Sequence, residues 1–331
     1  MATLVTADIG GTHCRCGLFS EDNGQLALER QLWFKTADLT TTDDVLEACA
    51  GLGVPLREAD AVLLAIAGPV QNPLQARTTN AALSLDLRTA KQRYGLKYCK
   101  IINDFVAQAY ACLTEVGTAA RRILPVSRAL PAIAPGATTG VLGAGTGFGA
   151  AALVCDSAGG WLALPSEGGH MGFSFAGAEE LAFQACILRE RKPQTAHRGA
   201  TVECEEVLSG RGLTLLHFFL TGERLTPAAV GQAALLQDSP TLRLFARFYG
   251  RMCRDWAFAT LCSGGVYIAG GIAAKNPLLV TCESFAEAFV SAPSLGDWLK
   301  EVPVFLMDCE TSGLWGAARH GQDCVARRGQ A

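Results

Sequence analysis

Leu4-Val5-Thr6-Ala7-Asp8-Ile9-Gly10-Gly11-Thr12 is the stretch whose reading decides the fold. Leu4 to Ala7 is a short, β-rich apolar run. Asp8 to Thr12 ends it in a turn, and Cys16-Gly17-Leu18-Phe19 reads as the returning strand. Adjacent glycines at 10 and 11 admit positive φ and let backbone N–H groups approach phosphate oxygens closely. The Thr12 hydroxyl adds a donor. Asp8, at the strand end, is placed to hold a hydrated Mg²⁺ beside those phosphates. Taken alone, the same residues also suit an ordinary hairpin turn.

A second unit of the same kind lies further along. Thr139 to Leu142 leads into Gly143-Ala144-Gly145-Thr146-Gly147-Phe148-Gly149, and Ala150 to Cys155 returns. The likeness is that of an internal repeat and fits two related halves facing each other across a cleft. Gly145-x-Gly147-x-x-Ala150 also matches the dinucleotide fingerprint, but that motif needs a helix to follow. Here a strand and the Asp156 to Gly160 turn follow instead, which argues against an oxidoreductase. No Gly-x-x-x-x-Gly-Lys-Ser/Thr segment exists, which argues against a P-loop enzyme.

Between and beyond these units, strand and helix patterns alternate. Ala61 to Ala67 is a buried strand closed by Gly68-Pro69. Arg88 to Tyr94 reads as a helix, with Asp86 as N-cap and Gly95 as stop. Lys100-Ile101-Ile102 is a strand ending at Asn103-Asp104, and Phe105 to Leu113 a helix. Ala178 to Arg191 is helical, and Leu242 to Leu261 is the clearest amphipathic helix. Val266 to Ala269 is a strand into Gly270-Gly271, Val304 to Met307 another strand, and Gly313 to His320 a last helix. The alternation predicts an α/β architecture.

Composition bounds the function. Half of the 331 residues are apolar, enough for a substantial core, and the net charge of −3 argues against nucleic-acid or membrane-surface partners. Thirteen cysteines in a chain this long suggest reduced thiols in cytoplasm, mostly small core residues, and not a disulfide framework. Met1 to Gly10 has no basic leader, and Asp8 breaks its apolar run. The uncharged stretches Ala129 to Cys155 and Trp256 to Ala274 are interrupted by proline and glycine, so buried strands and turns fit better than a membrane span.

Three further segments carry chemistry. Asn103-Asp104, at a strand's C-terminal end, presents a carboxylate where a base for an alcohol proton is needed; an N-cap is the structural alternative. Ser166-Glu167-Gly168-Gly169-His170 reads as a loop of fixed acceptors and donors suited to sugar hydroxyls, and it lacks neighbouring ligands for a tetrahedral metal site. Glu205, before Glu206-Val207-Leu208-Ser209-Gly210, is a further candidate. Val266-Tyr267-Ile268-Ala269-Gly270-Gly271 offers a flat backbone surface for an adenine ring.

Taken in order, these pieces resemble the bacterial glucokinase family across nearly the whole chain. They run from Ala7 to Thr12 through Ile101 to Phe105, Gly143 to Gly149, Leu164 to His170 and Glu206 to Leu213. They continue to Gly264 to Ile272 and Val302 to Leu306. The resemblance implies a two-domain hexokinase/actin-like (ribonuclease H-like) α/β fold with a ligand cleft between domains. It implies a small domain of about 1–113 plus 303–331 and a large one of about 114–302. It implies an ATP- and Mg²⁺-dependent glucose kinase with Asp104 as catalytic base. Asn103, Asp104, Glu167, His170 and Glu205 then bind sugar. Ala7, Asp8, Ile9, Gly10, Gly11, Thr12, Gly145, Thr146, Gly147, Gly270 and Gly271 bind ATP, Asp8 meets Mg²⁺ through water, and the chain forms a homodimer. Two departures stand out. His13 occupies the position after Gly-Gly-Thr where the family has Asn, with Arg15 kept two positions on. Thr79-Asn80 lacks the Trp that often follows, so no role is assigned to Asn80. The zinc motif of the related repressor and sugar-kinase group is missing, so no zinc is expected. A kinase for another hexose, or a sugar sensor on the same fold, are the alternatives.

Overall fold

The computed structural model describes residues 1–78, 83–124, 136–156, 159–191, 199 and 201–329. Thr79 to Ala82, with the Asn80 departure, and the start of the Ala129 to Cys155 stretch lie outside them. The chain divides into two compact units. One comprises Met1–Ala119, Ala163–Pro165 and Cys309–Ala331; the other comprises Ala120–Leu162 and Ser166–Asp308.

The first unit contains β1 (Ala2–Ile9), β2 (His13–Asp22), β3 (Gln25–Lys35), β4 (Ala61–Ile66), β5 (Gln75–Arg77), β6 (Ser84–Asp86) and β7 (Cys99–Asn103). Its main sheet has the order β3-β2-β1-β4-β7; β1, β4 and β7 run parallel, and β1-β2-β3 is an antiparallel meander. Alternation along the strands sorts side chains between two faces. Val5, Ala7, Ile9, Cys14 and Cys16 join Val45, Leu46 and Cys49 of the Thr42–Ala50 helix in one core. The C-terminal helix Ser312–Gly329 covers the opposite face, where Trp315 packs edge-on against Phe19 at 5.2 Å. That helix continues nine residues beyond the predicted His320 end: Gly321, directly after it, stays helical and is buried against Leu63, 2.7 Å from where its Cβ would stand, so it serves close packing and does not stop the helix.

The second unit holds β8 (Arg121–Arg122), β9 (Thr139–Ala144), β10 (Phe148–Cys155), the Trp161-Leu162 start of β11 (Trp161–Pro165), β12 (Val266–Ala269) and β13 (Val304–Leu306). The sheet order is β11-β10-β9-β12-β13-β8. The amphipathic helix Pro240–Thr260 supplies its core face. Phe245, Phe248, Met252 and Cys253 are buried, Trp256 donates to the Ala151 carbonyl at 3.2 Å, and the Tyr249 hydroxyl accepts from Ala144 N–H at 3.0 Å. Both glycine-threonine turns are thus strand-to-strand connections, and no helix opens at Gly147.

β3 and the Thr42–Ala50 helix have no counterpart in the sequence reading. Gly270-Gly271 is not only a turn: Gly270 sits at φ +87°, and a short helix, Gly271–Lys275, starts directly after it. All thirteen cysteines are unpaired and nine are buried. No described helix is long and apolar enough to cross a membrane.

Candidate active site

In the first unit the parallel strands bring the expected residues to one edge. Ile9 pairs with Ile66, and Ile66 with Asn103. The Gly10–Thr12 turn, Gly68 and Asn103-Asp104 therefore emerge together at the C-terminal ends of the strands, where α/β sheets present ligand groups. Thr36 fixes the turn. Its hydroxyl donates to the Gly10 carbonyl at 2.7 Å, and its N–H donates to the Thr12 carbonyl at 3.0 Å. Among the described residues the Gly11 and Thr12 amides have no acceptor. Thr36 escaped the sequence reading because nothing local marks a threonine 24 residues downstream as a loop support.

Asp8 is buried and meets Arg15 at 3.5 Å. Burial pushes its carboxyl above the ordinary carboxylate range, with Arg15 opposing the shift.

Asn103 and Asp104 divide the roles that the sequence left open between them. Asn103 is the N-cap of the Asp104–Ala111 helix: its Oδ1 accepts from Phe105 N–H at 2.9 Å and Val106 N–H at 3.2 Å. Its Nδ2 donates to the Gly68 carbonyl at 3.1 Å. Asp104 is the first helical residue, with Oδ1 near Phe105 N–H at 3.0 Å. Since Asn103 caps the helix, the fold does not need Asp104 for that task.

In the second unit the remaining residues form one cluster. Glu205, in the Cys204–Val207 helical turn, accepts from Phe148 N–H at 3.0 Å. A Cβ on Gly147 would stand 2.2 Å from that carboxylate, so any larger residue there would displace Glu205. The Gly145 carbonyl accepts from Gly210 N–H at 2.9 Å, tying the loop to the Ser209-Gly210 helix start. Gly270 abuts the same strand: a Cβ there would lie 2.6 Å from the Ala144 carbonyl. Glu167 and His170 flank a single 3-10 turn, Gly168–His170, and approach within 3.9 Å.

The sequence reading missed Glu203. Its Oε2 lies 2.8 Å from His170 Nδ1, and its segment pairs with Gly172 in an isolated bridge. The hydrogen bond to Glu203 holds the His170 pKa above the usual histidine value. His170 therefore keeps its proton to higher pH than a free imidazole. The stabilisation from this pair is complete below the ordinary histidine range and is lost as pH rises through the raised value. Glu203→Gln is expected to lower the His170 pKa, read from its imidazole proton shifts in an NMR titration. An unchanged midpoint would show that Glu203 does not hold the proton.

Two glycine-threonine turns, each joining antiparallel strands in an α/β unit, together with a carboxylate at the start of the Asp104–Ala111 helix, suit a phosphotransferase, and the comparisons place the chain among sugar kinases of the two-domain hexokinase-like fold. The glucokinase family model matches residues 5–324. The chain is 31% identical to the glucokinase of Yersinia enterocolitica, over 96% of this chain and 95% of that one. A solved glucokinase from an Antarctic psychrotroph superposes with a TM-score of 0.79 at 26% identity, covering 98% of this chain and 99% of the other. The Balamuthia mandrillaris glucokinase, solved in complex with glucose, shares the fold at 21% identity, with a TM-score of 0.78 over 97% of this chain and 93% of the other. The chain belongs to the glucokinase family.

Proposed function

We propose that the chain transfers the γ-phosphoryl group of ATP to the 6-hydroxyl of D-glucose. Family membership supports the chemistry, and the placement of Asp104 carries the assignment of the base. Asp104 accepts the hydroxyl proton as the sugar oxygen forms its bond to the γ-phosphorus. The bond from that phosphorus to the β,γ-bridging oxygen breaks, and ADP leaves.

Asn103, Glu167, His170 and Glu205 are the proposed sugar ligands. Of these, Glu167 is the most exposed, with 52% of its side chain accessible. Asn103 and Glu205 already serve backbone amides, so each offers the sugar only its remaining polar capacity. The turns at Gly10-Gly11-Thr12 and Gly145-Thr146-Gly147 take the phosphates, flanked by Ala7 to Ile9, and Gly270-Gly271 takes the adenosine.

Mg²⁺ enters as part of the ATP complex. It keeps most of its waters and phosphate ligands and needs only one or two protein carboxylates. Asp8, a single carboxylate loosely held by Arg15 at 3.5 Å, fits that outer role. Held there, the metal would supply charge neutralisation for the phosphoryl oxygens. Family membership also leads us to propose a cytoplasmic homodimer, which light scattering tests.

The deciding experiment follows ADP release with glucose, mannose, fructose and N-acetylglucosamine in parallel, with ATP and Mg²⁺ present. Fast turnover on glucose alone is expected. Preference for another sugar would move the substrate, since an epimer leaves buried polar groups unpaired. Silence on all four would overturn the kinase reading in favour of a sensor.

A further inference from the structure

Asp8, Arg15 and Trp33 form one cross-strand row. Asp8 pairs with Arg15 across β1 and β2, and Arg15 pairs with Trp33 across β2 and β3. Residues in register on adjacent strands share a face, so the three side chains stand side by side. The row lies next to the Gly10–Thr12 turn that ends β1 and starts β2.

Within the row, Arg15 is under-employed. A guanidinium has five N–H donors. Here its recorded hydrogen bond is Nη1 to Asp8 at 3.5 Å, the long limit of such a bond. Among the described residues its Nε, although buried, has no acceptor. What holds the group is the indole of Trp33, whose ring centroid lies 4.3 Å from the guanidinium carbon. His13 meets the same ring edge-on, at 6.3 Å between centroids. Stacking occupies a guanidinium's face and leaves its donor edge open for bidentate bonding to an oxyanion.

Trp33 itself calls for an explanation. It is 42% exposed, on the edge strand β3, and contributes little to the core. An exposed indole packed on a cation beside two amides without acceptors is better accounted for by ligand binding than by stability.

We propose that Trp33 is a positioning residue for the phosphoryl donor: its ring holds the Arg15 guanidinium with the donor edge directed to a phosphate at the Gly11-Thr12 amides, and prevents it from folding onto Asp8. The proposal rests on the kinase reading for the identity of the donor, and it concerns the phosphate chain of ATP, not the sugar.

The test measures the ATP dissociation constant of the full chain by calorimetry, without sugar. Trp33→Ala is expected to weaken ATP binding by about threefold to tenfold, the range of a partly exposed cation–π contact. Trp33→Phe, which keeps a ring, regains most of the loss. In an Arg15→Ala background, Trp33→Ala adds nothing further, since both changes remove one unit. In steady-state assays the effect falls on KM for ATP and not on KM for the sugar. Unchanged ATP affinity in Trp33→Ala overturns the proposal, and so does an equal loss with and without Arg15. A wild-type chain that binds ATP but phosphorylates no sugar defeats the kinase reading while the Trp33 comparison still stands or falls by itself. A wild-type chain without affinity for ATP defeats both.

Discussion

Asp104→Ala is expected to lower turnover by about 10²–10⁴-fold, the usual contribution of a positioned base, while leaving the fold in place. The reason lies in the division of labour at the end of β7. The Phe105 N–H that faces Asp104 at 3.0 Å also faces Asn103 Oδ1 at 2.9 Å, so the helix keeps its cap when the Asp104 side chain is removed. Asn103→Ala is the instructive contrast. It removes the acceptor of Val106 N–H, leaves Phe105 N–H only Asp104 Oδ1, and releases Gly68, at a cost of about 0.5–2 kcal/mol in stability. Denaturant midpoints and kcat, measured on both variants, separate the two roles. Asp104→Ala at near-wild-type turnover would remove the aspartate from the chemistry. A large drop in its midpoint would instead make it a structural residue whose loss of activity is indirect.

The first glycine-threonine turn and Asn103-Asp104 were legible in the sequence for a physical reason. Each follows a short, β-rich strand, and glycine pairs or strand-end carboxylates are local signals. Thr36 and Glu203 were not legible, because their partners lie far away in sequence and are reached only through tertiary pairing. Thr36 meets Gly10 after the β2–β3 excursion, and Glu203 meets His170 across 33 positions. β3 was missed on other grounds. Most of its residues are exposed, and its apolar residues fall in two triplets, Leu26 to Leu28 and Leu32 to Phe34, split by Glu29-Arg30-Gln31, so neither one continuous apolar run nor a clean alternation marks it as a strand. Trp33 lies within it, which is why the residue proposed to orient Arg15 left no mark in the motif reading.

The C-terminal helix yields the second large expected effect. Gly316→Ala is expected to destabilise the chain by about 1–3 kcal/mol or more and to lower turnover by about 10²-fold. A Cβ at Gly316 would stand 1.7 Å from the Ala107 carbonyl oxygen and 2.8 Å from Ala111 N. Neither atom can rotate away, since both belong to the backbone of the Asp104–Ala111 helix. That helix must therefore shift from its seat, and it begins with the proposed base. A displacement of about 1 Å at a reacting group costs on the order of a hundredfold in rate even when binding survives. The loss of stability and the loss of activity then share one cause. Gly329→Ala in the same helix is the control: among the described residues no atom outside its own helical turn lies within 4 Å of its would-be Cβ, and its effect stays within about 0.5 kcal/mol. Guanidinium unfolding and ADP release measure both quantities. Wild-type stability in Gly316→Ala would mean that the two helices pack with more room than 1.7 Å implies. Lost stability with full turnover would mean that Asp104 is held in place by its own strand and cap, independently of the helix packed behind it.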